Sequence, residues 1–132
     1  MKKRILIADD EAALLKTMAF TLKRKGYETV TFANGRNAYN AIIETFKRCE
    51  LFDLIITDIQ MPGLSGLELI KKTREVGINT PILGITGFGN KQMVIDLMQA
   101  GCSDYLDKPF SMNEYIDRIS AILEQKLIKT WL

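Results

Sequence analysis

Phe52-Asp53-Leu54-Ile55-Ile56-Thr57-Asp58-Ile59-Gln60-Met61-Pro62-Gly63 is a run of apolar, largely β-branched residues that ends on one carboxylate and turns at Pro-Gly. A continuous apolar run bounded by turn residues reads as a strand covered on both faces, as in a parallel sheet. In open α/β sheets the loops beyond the carboxyl ends of the strands hold the ligand sites. Asp58 therefore stands where such a sheet places its chemistry.

The same grammar repeats on either side. Arg4 to Ala8 reads as a buried strand ending in Asp9-Asp10-Glu11. The helix after it carries Leu15, Met18 and Leu22 on one face and stops at Gly26. Glu28 to Phe32 is a second strand and Asn34-Gly35 a turn. The next helix, near Arg36 to Lys47, is expected to turn Ala38, Ala41, Ile42 and Phe46 inward. Beyond Asp58, Ser65 caps a helix carrying Leu67, Leu69 and Ile70 that ends before Gly77.

Pro81 to Thr86 is a fourth strand, and Gly87-Phe88-Gly89 a flexible loop into a helix over about Lys91 to Ala100, where Met93, Val94, Leu97 and Met98 read as packing. Asp104-Tyr105-Leu106 is a short fifth strand running into a surface turn at Asp107 and then Lys108-Pro109. Ser111-Met112-Asn113-Glu114 has the capping-box pattern, and Met112, Tyr115, Ile116, Ile119 and Leu123 form the stripe of the last helix. Five strands alternating with five helices predict a doubly wound, flavodoxin-like parallel sheet in a three-layer α/β sandwich.

Composition narrows the function. The 132 residues suffice for one domain, with 47% apolar and 26% charged residues. A net charge of +2 does not call for a polyanion partner, and Lys2-Lys3-Arg4 and Lys23-Arg24-Lys25 read as solvated surface. Cys49 and Cys102 have no CxxC spacing, and there is no histidine to join them in a zinc site. The apolar stretch before Asp9 is too short for a signal-peptide core or a membrane span, so a reduced cytoplasmic setting is expected.

Asp9-Asp10, Asp58, Thr86 and Lys108 thus converge from four strand ends. Hard divalent cations are held by carboxylates together with phosphate oxygens and water. A carboxylate is also a nucleophile for phosphorus, while lysine and threonine supply a point charge and a directed donor. With these residues in this order, and with Thr57-Asp58-Ile59-Gln60-Met61-Pro62-Gly63 and Tyr105-Leu106-Asp107-Lys108-Pro109-Phe110 around them, residues 4–124 resemble a response-regulator receiver domain of two-component signalling.

The resemblance implies that Asp58 accepts a phosphoryl group from a sensor histidine kinase or a histidine phosphotransfer protein. It implies magnesium held by Asp10, Asp58 and the backbone carbonyl of Gln60, with Asp9 acting through water. It makes Lys108 the phosphate-binding residue, with a cis bond to Pro109, and Thr86 and Tyr105 the switch. Gln60 and Phe88 occupy positions that tune phosphate lifetime in the family, and Gly87 is small, as access to the site requires.

It further implies a homodimer through the face of the fourth helix, fifth strand and fifth helix, where Asp96, Asp104, Asp107 and Arg118 lie. The module is expected to assist its own phosphorylation and dephosphorylation without being an enzyme in the ordinary sense. It is expected to bind neither nucleic acid nor membrane, and to control an output such as transcription.

Two other classes fit less well. A phosphatase of the haloacid dehalogenase type wants a second aspartate two residues after the nucleophile, where this chain has Gln60. A flavin or nucleotide binder wants a glycine- or hydroxyl-rich loop after strand one, where this chain has Asp9-Asp10-Glu11. Residues 1–124 are assigned to the receiver domain. Residues 125–132, with Leu127, Ile128, Trp131 and Leu132 on one side, are read as a helical extension or the start of a linker to an absent output domain.

Overall fold

The computed structural model describes residues 2–87 and 90–131, with side chains in the last helix as far as Glu124. The elements alternate as β1 (Arg4–Ala8), α1 (Ala12–Arg24), β2 (Glu28–Phe32), α2 (Gly35–Lys47), β3 (Leu54–Asp58), α3 (Gly66–Glu75), β4 (Ile82–Thr86), α4 (Lys91–Ala100), β5 (Asp104–Asp107) and α5 (Met112–Trp131). The five strands pair in parallel in the order β2-β1-β3-β4-β5. The order reverses between β1 and β3, which opens a crevice at their carboxyl ends.

The pleat sends successive side chains to opposite faces, so each apolar strand feeds two cores. Ile5, Ile7, Leu54, Ile56, Leu83 and Ile85 pack with Met18 and Leu22 of α1 and Tyr115, Ile119 and Ile122 of α5. Leu6, Ala8, Ile55 and Ile82 face the other way, toward Ala38 and Ile42 of α2, Leu69 and Ile70 of α3 and Leu97 of α4. Burial of Tyr115 pushes its phenol well above the ordinary value, and its hydroxyl donates to the Met18 carbonyl at 3.4 Å.

Local signals hold where they rest on capping. Ser65 accepts from the Glu68 N–H and Ser111 from the Glu114 N–H. Asn34 and Asn90 cap α2 and α4 in the same way.

Three packing expectations need correction. Phe46 is exposed, because the inward stripe of α2 runs through Ala38, Ile42 and Thr45, and Thr45 satisfies its hydroxyl on the Ile42 carbonyl at 3.0 Å. Met98 is exposed as well, so of the four α4 residues only Leu97 is fully buried. Asp107 is the last residue of β5, opposite Thr86 in register, rather than part of a turn. The apolar side expected over Leu127 to Leu132, and the expected loop residues Phe88 and Gly89, fall outside what is described.

At the edge of the sheet away from the crevice, Arg74 of α3 gathers several backbone carbonyls. Its guanidinium donates to Gly101 twice, at 2.7 and 3.0 Å, and to Ile78 at 2.9 Å and Thr80 at 2.8 Å. Gly101 ends α4 at φ +106°, and a β-carbon there would stand 2.9 Å from Arg74. Only glycine suits both the backbone angle and the overlying side chain.

Candidate functional site

β1, β3, β4 and β5 end side by side at Ala8, Asp58, Thr86 and Asp107. One carboxylate oxygen from each of Asp9, Asp10 and Asp58 lies within 4.8 Å of the others. Lys108 Nζ donates to Asp58 Oδ2 at 3.2 Å and to Glu11 Oε2 at 3.4 Å, and stands 3.5 Å from Asp9 Oδ2. Asp10, Glu11, Asp58, Gln60, Gly87 and Lys108 line an open depression of about 450 Å³.

The backbone holds these groups in place. The Lys108 N–H donates to the Thr86 carbonyl at 2.8 Å, which ties the loop after β5 to the end of β4, and the Lys108–Pro109 peptide is cis. The Glu11 N–H donates to Asp9 Oδ1 at 2.8 Å and the Gln60 N–H to Asp58 Oδ1 at 3.3 Å. The turn after Asp58 closes where the Gly66 N–H meets the Ile59 carbonyl at 2.9 Å.

Asp9 is fully buried, and its Oδ2 has no hydrogen-bond partner among the described residues. Burial pushes its carboxyl up to about 6; the Glu11 amide and Lys108 work against this, and the Asp58 charge adds to it. Burial would pull the Lys108 ammonium down, but the hydrogen bond and charge of Asp58, with Asp9 and Glu11, hold it above its ordinary value. A buried carboxylate oxygen lacking a donor, beside two further carboxylates, is the donor set a hard divalent cation requires. The residues present fit magnesium.

Thr86 is buried at the last position of β4. Tyr105 is half-buried on β5 opposite Gly84, two positions back from Asp107, and packs against the α2–α3–α4 core. It is not among the residues lining the depression. Glu11 was not among the sequence candidates and is brought into the site by its ion pair with Lys108; its place directly after the acidic pair was the available signal.

The family model for the response regulator receiver domain matches residues 5–120. This chain belongs to that family. Among curated relatives, the receiver is 34% identical over 125 residues to the phosphate regulon transcriptional regulatory protein PhoB of Pseudomonas aeruginosa, covering 93% of this chain and 52% of that protein. It is 34% identical over 128 residues to the alkaline phosphatase synthesis transcriptional regulatory protein PhoP of Bacillus subtilis, covering 97% and 51%. The chain thus spans about half the length of these relatives.

The solved structure of the Francisella response regulator 1452 receiver domain superposes with a TM-score of 0.85 at 29% identity, covering 95% of this chain and 99% of that one. A receiver is a signalling module rather than a classical enzyme, and its family is that of two-component systems. No helix among the described residues is long and apolar enough to cross a membrane.

Proposed function

We propose that this receiver accepts a phosphoryl group on Asp58 from a sensor histidine kinase or a histidine phosphotransfer protein and changes its surface to control an output. The observation that carries this reading is the position of Lys108, 3.2 Å from Asp58 Oδ2 at the mouth of a three-carboxylate cluster. A carboxylate oxygen of Asp58 attacks phosphorus, and the phosphorus–nitrogen bond of the donor phosphohistidine breaks. The electron pair leaves with the imidazole, which then takes a proton.

Lys108 holds the phosphoryl oxygens by charge. Asp10, Asp58, the Gln60 carbonyl and, through water, Asp9 would hold magnesium. When bound, that ion neutralises charge on the carboxylates and the transferring group. Thr86 and Tyr105 carry the change outward, and the same residues around Asp58 assist dephosphorylation, in which water attacks phosphorus and Asp58 leaves as the carboxylate.

Residues 1–124 form the receiver unit and 125–132 an extension or the start of a linker, although α5 runs unbroken from Met112 to Trp131. That PhoB and PhoP are transcriptional regulatory proteins supports transcription as the output, through a fused or separate effector in the cytoplasm. The domain itself binds neither nucleic acid nor membrane. With magnesium and acetyl phosphate the protein should gain one acid-stable, base-labile phosphoryl group. Asp58→Asn should abolish it, and undiminished labelling of that variant would overturn the assignment.

A further inference from the structure

Lys108 is shared among three carboxylates that differ in their access to water. Asp9 is fully buried and Asp58 nearly so, whereas the Glu11 side chain is 60% exposed. An ammonium has three protons to donate; two go to Asp58 and Glu11, and the third faces Asp9 Oδ2 at 3.5 Å. An incoming phosphoryl oxygen needs one of them. Asp9 cannot be rehydrated without opening the core and Asp58 is itself the acceptor, but Glu11 can swing into solvent and lose little, as exposed ion pairs generally do. The Glu11 contact is therefore the one that yields.

Glu11 also lines the depression through which any donor must enter. Its charge adds to those of Asp9, Asp10 and Asp58 against Lys108, the one cation among the described residues that line the depression. We propose that Glu11 is a specificity-determining residue of this site: its carboxylate, tethered across the mouth by Lys108, selects phosphodonors by charge and disfavours small, highly anionic ones. The proposal rests on the phosphoacceptor reading of Asp58. It assigns to Glu11 no part in the bond-making step.

The Glu11 side chain is exposed, and its backbone N–H, not its carboxylate, serves Asp9, so Glu11→Gln leaves the fold and the amide bond in place. Two donors separate the effects. Acetyl phosphate is a dianion at neutral pH, whereas phosphoramidate carries one negative charge fewer. Freeing Lys108 accelerates both alike; removing the Glu11 charge favours the more anionic donor.

At low salt and saturating magnesium, the acetyl phosphate to phosphoramidate rate ratio should rise about fivefold in Glu11→Gln, for one charge at contact distance in a water-like dielectric. At about 1 M salt, where the screening length is about 3 Å, the gain should vanish. A merely structural role would leave the ratio unmoved. If wild-type protein is labelled on Asp58 while the ratio is the same in both proteins at low salt, the filter is overturned alone. If neither donor labels the wild type, the phosphoacceptor reading falls and this inference with it.

Discussion

Gly66 and Asp58 touch through their backbones: a β-carbon on residue 66 would press into the Asp58 carbonyl and come within 2.7 Å of the Ile59 Cα. Gly66 opens α3 directly after its Ser65 cap, and no unusual backbone angle demands glycine there. The requirement is room beneath the acidic strand end.

Gly66→Ala should therefore destabilise the fold by about 1–3 kcal/mol, as overpacking does, despite the better helix propensity of alanine. The urea midpoint would fall, and phosphorylation would slow because the displaced backbone carries Asp58. An unchanged midpoint would show that α3 slides away at no cost.

Without metal, Asp9 keeps its proton to about pH 6 in the folded protein, against an ordinary value of 3.8. Between those values the folded state binds more protons than the unfolded one, so stability is lost as pH rises through that window. The loss is on the order of 3 kcal/mol and should be complete by neutral pH. Magnesium should restore stability at neutral pH, and Asp9→Asn should flatten the pH profile and remove the magnesium effect. Thermal melts from pH 4 to 8 with and without the ion check this; an Asp9→Asn profile as steep as that of the wild type would exclude Asp9 as the source.

Thr86 should matter to the response rather than to the chemistry. A swing of a two-state equilibrium from 1:99 to 99:1 needs about 5.5 kcal/mol, and a hydrogen bond to a charged group supplies roughly 1.5–3 kcal/mol. Thr86→Ala should therefore still label on Asp58 yet show a smaller inward population of Tyr105. Ring signals of labelled Tyr105, with and without beryllofluoride, measure it. An undiminished response would separate Thr86 from the switch.

Association is expected through the face of α4, β5 and α5, where Ile95 and Met98 lie exposed. Arg118 is already engaged within the chain, 3.2 Å from Asp104 and 2.7 Å from the Tyr105 carbonyl. Sedimentation should show a shift toward dimer on adding beryllofluoride; a monomer in both conditions would count against the pairing.

The strands and caps were legible because their signals are local. Ile55-Ile56-Thr57 needs no distant partner to declare a strand covered on both faces, and Ser65 and Ser111 bond three residues ahead. Phe46 was misread because apolar character marks a preference for burial, whereas the angular position on α2 decides it, and Thr45 holds that position. Glu11 and Arg74 were invisible for a different reason. Their partners, Lys108 and the Gly101 carbonyl, are brought close by the whole fold, and no spacing along the chain encodes how far a side chain reaches. The convergence of Asp9, Asp10, Asp58 and Lys108 was legible, since parallel topology puts successive strand ends on one edge.

The grip of Arg74 gives α4 a mechanical character. One end of the helix is pinned to α3 at Gly101, while the other begins at Asn90, just past the loop that leaves Thr86. Its ten residues make a rod about 15 Å long. A pull on the Thr86 end would therefore act against a helix held at its far end. Small displacements beside Asp58 would then turn the exposed face of α4 rather than carry the helix bodily, with the hold set by an arginine at the opposite edge of the sheet.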